Sequence, residues 1–193
     1  RAAQDRAVEP VEEVVEIRSE EGRRPIISGY AAVFNSPSHD LGGFKEIVRP
    51  GAFSRSIASG ANVRAYHNHD MNLLLGTTQS GTLRLSENQR GLKYEIDVPD
   101  TTYGEDLLKL VKRGDIRGSS FKFSNPKDQW NNQGTKRELI DVDLLDVSTV
   151  DNPAYEAAEI VSVRSLDAHK QHQGYDPELV SRRVAYIRLT MPN

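Results

Sequence analysis

Short alternating apolar runs, each closed within a few residues by Gly, Pro, Asn or Asp, recur from Pro25 to Arg164. Runs of this length suit strands, whose side chains alternate between two faces, better than helices. Strands are expected over 25–34, 44–48, 62–67, 73–78, 81–86, 91–98, 116–123, 138–150 and 159–164. The turns at 79–80 and 87–90 are so short that the runs they join should form an antiparallel meander. Two helices interrupt the series. Pro50-Gly51-Ala52-Phe53 opens one, with Phe53 and Ile57 a turn apart and Gly60 as its stop. The other starts near Thr102, whose spacing to Glu105 fits a capping box, buries Leu107, Leu108 and Val111, and stops at Gly114. Asn125–Thr135, which holds the single tryptophan, Trp130, reads as an exposed loop or hairpin tip. The sum is a β-rich (α+β) chain, a closed or half-closed barrel with short peripheral helices.

A length of 193 residues suffices for one domain with a core. Only 37% of residues are hydrophobic and the mean hydropathy is −0.59, so polar, loosely attached ends are expected. Residues 1–24 form a charged arm whose second half is a candidate strand; 25–164 form the domain; 165–193 form a polar tail with a candidate short helix over Pro177–Leu189. A net charge of −3 gives no basic surface for nucleic acid. No apolar run approaches the roughly 18 residues of a membrane span, and no signal-peptide pattern opens the chain. The first residue is Arg1 rather than Met, as in a trimmed or excised piece. The absence of cysteine removes a thiol nucleophile and fits an intracellular protein without disulfides.

If this chain does nucleophilic chemistry, serine or threonine with one of five histidines is the route left. Gly118-Ser119-Ser120-Phe121-Lys122-Phe123 carries two adjacent hydroxyls on one strand. Alternation puts them on opposite faces: Ser119 goes with Phe121, Ser120 with Lys122. A core Phe121 therefore turns Ser120 outward to a groove. Asn68-His69-Asp70 ends another strand, where side chains can face a cleft. His67 alternates with Val63 and Ala65 and reads as structural. His67 and His69 could share a metal only with further ligands, and no cluster supplies them.

The ordered set of motifs carries more than any one of them. It comprises Gly29-Tyr30-Ala31-Ala32-Val33-Phe34-Asn35, Phe44–Phe53, Asn68-His69-Asp70, Leu75-Gly76, Gly91-Leu92, Pro99-Asp100-Thr101, Gly118-Ser119-Ser120-Phe121, Asp146-Val147-Ser148-Thr149-Val150 and Asn152-Pro153-Ala154-Tyr155. Together these resemble the prohead (capsid maturation) serine proteases of tailed bacteriophages, over residues 25–164. The resemblance implies the fold of the herpesvirus assemblins, a mostly antiparallel β-barrel ringed by helices. It implies an endopeptidase inside the prohead, within the host cytoplasm, that cuts scaffold protein, capsid-protein extensions and itself. By position it implies His69 as base and Ser120 as nucleophile. The third member is Glu95, with Asp146 as the alternative. No cofactor or metal, no nucleic acid and no membrane is implied; activity as a homodimer is. Two other readings stay open: an inactive structural or scaffolding component of the prohead, and a nuclease or metal hydrolase built on His67 and His69.

Overall fold

The computed structural model describes residues 24–164. The expected arm strand and the Pro177–Leu189 helix lie outside the described residues. Nine strands and two helices follow in the order β1 (Ile26–Val33), β2 (Lys45–Val48), α1 (Ser54–Ala58), β3 (Arg64–His67), β4 (Asp70–Thr77), β5 (Leu83–Glu87), β6 (Gly91–Asp97), α2 (Thr102–Arg113), β7 (Gly118–Trp130), β8 (Lys136–Val150) and β9 (Ile160–Arg164). They build two sheets, one ordered β5-β6-β1-β9 and one ordered β2-β8-β3-β4 with β7 on the other side of β8.

The β-rich expectation holds, and the closed barrel does not. Beyond β1, Asn35 donates its N–H to the Val48 carbonyl of β2 at 2.9 Å, and at another join Gly118 of β7 bridges Glu159 just before β9. Ser119 donates its N–H to the Ala158 carbonyl at 3.0 Å there, and Ile160 donates to Arg117 at 2.8 Å. The expected meander is also corrected. The run 70–77 pairs back onto β3, so the chain changes sheets at the Thr78–Thr82 turn and only β5 and β6 form the hairpin. Hydroxyls make that turn self-sufficient: Thr82 Oγ1 accepts the Thr77 N–H at 3.0 Å.

β8 organises the second sheet. β7 runs antiparallel along one side of it, while β2 and then β3 lie parallel along the other. β2 covers 136–139 and β3 covers 146–149. The gap between them is filled by the α1 segment. Val142 donates to the Ala52 carbonyl at 3.0 Å, and Leu144 donates to Ser56 Oγ at 2.9 Å. Backbone groups that no strand reaches are thus satisfied by the helix that joins the two strands. Arg55 of α1 holds Asp141 and Asp143 of β8 at 2.9 and 2.6 Å.

Asn125-Pro126, expected to end a strand, instead makes a bulge within one. Asn125 sits at φ 46 and the β7–β8 register slips between Ser124 and Lys127. Proline lacks a ladder donor but is tolerated on an edge or at a bulge. Pairing resumes beyond it, so Trp130 ends a strand rather than tipping a loop, with its ring 4.9 Å from that of Phe44. The α2 cap also shifts by one residue. Thr101 is the N-cap, its hydroxyl accepting from the Gly104 N–H at 3.2 Å, and Gly114 closes the helix at φ 84.

The core lies between the sheets. Phe53 is fully buried and meets Phe121 edge-on at 5.1 Å, and Phe121 stacks on Tyr155 at 5.9 Å. Each ring buries enough apolar area to stabilise the fold by about 2 kcal/mol. Gly29 of β1 is there because nothing larger fits. A Cβ at that position would lie 2.4 Å from the Glu159 carbonyl and 2.6 Å from the Tyr94 hydroxyl.

Candidate active site

His69 stands in the two-residue turn that joins β3 to β4. His67 and Asp70 pair across it, and Asn68 and His69 sit at φ 52 and 56. Positive φ at both central positions is the signature of the hairpin turn whose twist matches that of the flanking strands. Positive φ is uncommon for any residue but glycine, and tertiary contacts hold both residues in it. Those contacts come from the C-terminal end of β8. Asn68 donates its N–H to the Thr149 carbonyl at 2.8 Å, and its side-chain Oδ1 accepts from the Asp151 N–H at 3.3 Å. His67 Nδ1 lies 3.0 Å from both the carbonyl and the hydroxyl of Thr149. His67 therefore pins the turn, in the structural role its alternation suggests.

Pinned in this way, the His69 ring lies on β8. Its Nδ1 is 2.6 Å from Asp146 Oδ1 and 3.1 Å from Ser148 Oγ. A bare lone pair on Nδ1 would repel a carboxylate oxygen at that distance, so Nδ1 carries the proton and donates it. In the neutral ring Nε2 is then the acceptor. Asp146 and Ser148 are two apart on one strand and share a face. The Asp146 side chain is 8% exposed and the His69 side chain 18%.

Ser120 joins this group by register. β7 places Ser120 directly opposite Ser148, and Lys122 opposite Asp146. Directly opposed residues of an antiparallel pair share a face, with Cβ atoms about 5 Å apart. Ser120 is half-buried and Lys122 exposed. Ser119 is turned the other way: it is fully buried beside Phe121 and takes a 2.7 Å hydrogen bond with the Tyr94 hydroxyl. Burial pushes the Tyr94 phenol up from its ordinary value, so that bond is between two neutral hydroxyls.

Of the two carboxylates expected as third member, the structure brings Asp146 to His69. Glu95 belongs to β6 in the other sheet, with its carboxylate 3.4 Å from both the Arg84 guanidinium and the Lys93 ammonium. The choice between them depends on sheet membership, which strand patterns do not carry. Ser148 is the member that sequence reasoning missed. Its signal was the Asp-x-Ser spacing at 146–148, which puts both side chains on one face. Among the described residues no group of three or more His, Asp or Glu is placed to hold a metal. Nor, among the described residues, is any helix long and apolar enough to cross a membrane.

Comparison with known proteins meets this geometry. Residues 13–172 match the model of the Caudovirus prohead serine protease family. The chain belongs to that family. It is 30% identical over 151 residues to the prohead protease of Enterobacteria phage HK97, a match covering 76% of this chain and 64% of that relative. The chain thus spans less than two thirds of that relative's length. Family membership makes the serines around His69 the relevant hydroxyls, and the fold separates them. Ser119 is bonded within the core, Ser148 is engaged on the Nδ1 side, and Ser120 is the half-buried one beside them.

Proposed function

We propose that this chain is a serine endopeptidase of phage capsid maturation, with Ser120 as nucleophile, His69 as general base and Asp146 as the group that orients the base. The observation that carries this reading is the 2.6 Å bond from His69 Nδ1 to Asp146, with Ser120 opposite Ser148 in the β7–β8 register. The carboxylate fixes the tautomer and stabilises the imidazolium that forms. Nε2 takes the Ser120 hydroxyl proton as Oγ attacks a peptide carbonyl, then delivers that proton to the leaving amine. An acyl-enzyme results, and water activated by the same nitrogen releases the second fragment.

The substrates under this reading are the scaffold protein or the scaffold-like extension of the major capsid protein, met inside the prohead, and the chain's own polar ends. An extended substrate suits an open sheet edge. Two sheets joined by short bridges are compatible with an opened form of the assemblin barrel, and dimerisation would make activity depend on concentration.

The test is incubation with the capsid-protein precursor or scaffold, wild type beside Ser120→Ala, read by intact mass. Fragments from wild type alone support the reading. Equal fragments from both sink the assignment of Ser120, and fragments from neither favour an inactive shell component.

A further inference from the structure

We propose that Ser148 is a positioning residue of this site, a buried hydroxyl that locks the Nδ1 tautomer of His69 by closing a three-membered hydrogen-bond ring with Asp146; the inference rests on the reading of His69 as base. Three distances define the ring: Nδ1 to Asp146 Oδ1 is 2.6 Å, Nδ1 to Ser148 Oγ is 3.1 Å, and Ser148 Oγ to Asp146 Oδ1 is 3.2 Å. Only one proton assignment satisfies all three. Nδ1–H is shared between the carboxylate and the lone pair of Ser148 Oγ, and the Ser148 hydroxyl donates its own hydrogen to Asp146. Ser148 is 1% exposed, so no water can replace it without rearrangement.

Each bond has a consequence for the base. The hydroxyl that donates to Asp146 draws electron density from the carboxylate, so the shared proton stays on nitrogen. The lone pair that accepts from Nδ1–H gives the ring a second anchor, among the tertiary contacts that hold a residue at φ 56. Ser148 is a poor candidate for the nucleophile itself. It meets the nitrogen that already serves the carboxylate, and it is closed off from solvent. Its cross-strand partner Ser120 is the hydroxyl on the open side.

The experiment compares wild type with Ser148→Ala, Ser148→Cys, Asp146→Asn and the double variant Asp146→Asn/Ser148→Ala, with precursor cleavage as the assay. Cysteine nearly matches serine in size but is a weak donor, so it preserves packing while removing the bond. Both Ser148 variants are expected to lose about tenfold in kcat with KM unchanged, the scale of a hydrogen bond to a charged group. In the Asp146→Asn background Ser148→Ala should add less than about twofold, because the two act as one unit. Nitrogen-15 NMR of the His69 ring provides a readout that needs no turnover. Wild type should show the Nδ1–H tautomer, and Ser148→Ala a mixture. Ser148→Cys at wild-type kcat beside an inactive Ser120→Ala would overturn the role, as would an unchanged tautomer in Ser148→Ala. A fluorophosphonate probe mapped to Ser148 instead of Ser120 would also overturn it. Wild-type cleavage by Ser120→Ala counts against the function reading alone, and the NMR result still decides on Ser148.

Discussion

Two buried carboxylates sit at opposite ends of β8, and they are compensated in different ways. At the end of β8 beside β2, Glu46 accepts from Arg137 Nη1 at 3.1 Å and from the Tyr155 hydroxyl at 2.5 Å. Arg137 also reaches Asp128 at 2.6 Å. Burial, and then the charge of Glu46, pushes the Tyr155 phenol up, so it remains a neutral donor. At the other end Asp146 meets a histidine and a serine. A guanidinium cannot give up its proton at any working pH, so the Glu46 cluster can only hold. An imidazole can, and its second nitrogen is left for another partner, so the Asp146 cluster can transfer a proton. The same strand carries a lock at one end, beside Arg137, and a relay at the other, at Asp146.

The sharpest way to break this contrast is at the relay. Ser120→Ala is expected to lower precursor cleavage by at least about 10⁴-fold with a nearly unchanged melting midpoint. Intact-mass kinetics and calorimetry on one preparation check both halves. Asp146→Asn should cost somewhat less, about 10³- to 10⁴-fold in kcat, because the amide no longer fixes the right tautomer. A loss below tenfold would mean that Asp146 does not orient the base.

The lock should respond in the opposite sense. Arg137→Ala strips a buried charge of its partner and is expected to destabilise the fold by about 3–5 kcal/mol. Activity per folded molecule should stay within about twofold of wild type, since the two clusters share no hydrogen-bond partner. Urea unfolding with an activity assay at low temperature separates the two. A smaller effect is expected at Glu95. Glu95→Gln removes one exposed-side ion-pair member and should change stability by less than about 1 kcal/mol and rate by less than about twofold. A rate loss above tenfold would return Glu95 to the site.

The smallest effect is a pH slope. Glu138 is held down to about 2 by its bonds to Arg49 and Lys136, from an ordinary value of 4.5. Its folded value lies below its unfolded one, so its contribution is present above pH 4.5 and is lost as pH falls toward 2. Glu138→Gln should therefore flatten part of the decline in stability between those values. The difference between wild type and variant should vanish at the acid end, as thermal midpoints across that range would show.

Much of this contrast was legible in the chain. The helix over 102–113, the strands and the opposite faces of Ser119 and Ser120 follow from period and breakers, because those are local. Sheet membership is not local. Whether β4 continues a meander or folds back on β3, and whether Glu95 or Asp146 meets His69, turns on which runs pair at long range. The bulge at Asn125-Pro126 was hidden because a proline reads as a break unless the partner strand is known to continue past it. His69 was readable as a residue type but not as a positive-φ turn position, since Asn-His lacks the glycine that usually marks such turns.

The parallel pairing of β3 with β8 has a consequence in time as well as in space. His69 and Asp146 are 77 positions apart, and the strand that carries Asp146 comes near the end of the described chain. Contacts of that separation form late, after the loop between them has been closed at an entropic cost. During synthesis the histidine is made well before the carboxylate. A nascent chain that stops short of Asp146 holds His69 without the carboxylate it meets in the fold. The order of residues along the polypeptide thus leaves the pairing of His69 with Asp146 until β8 has been made.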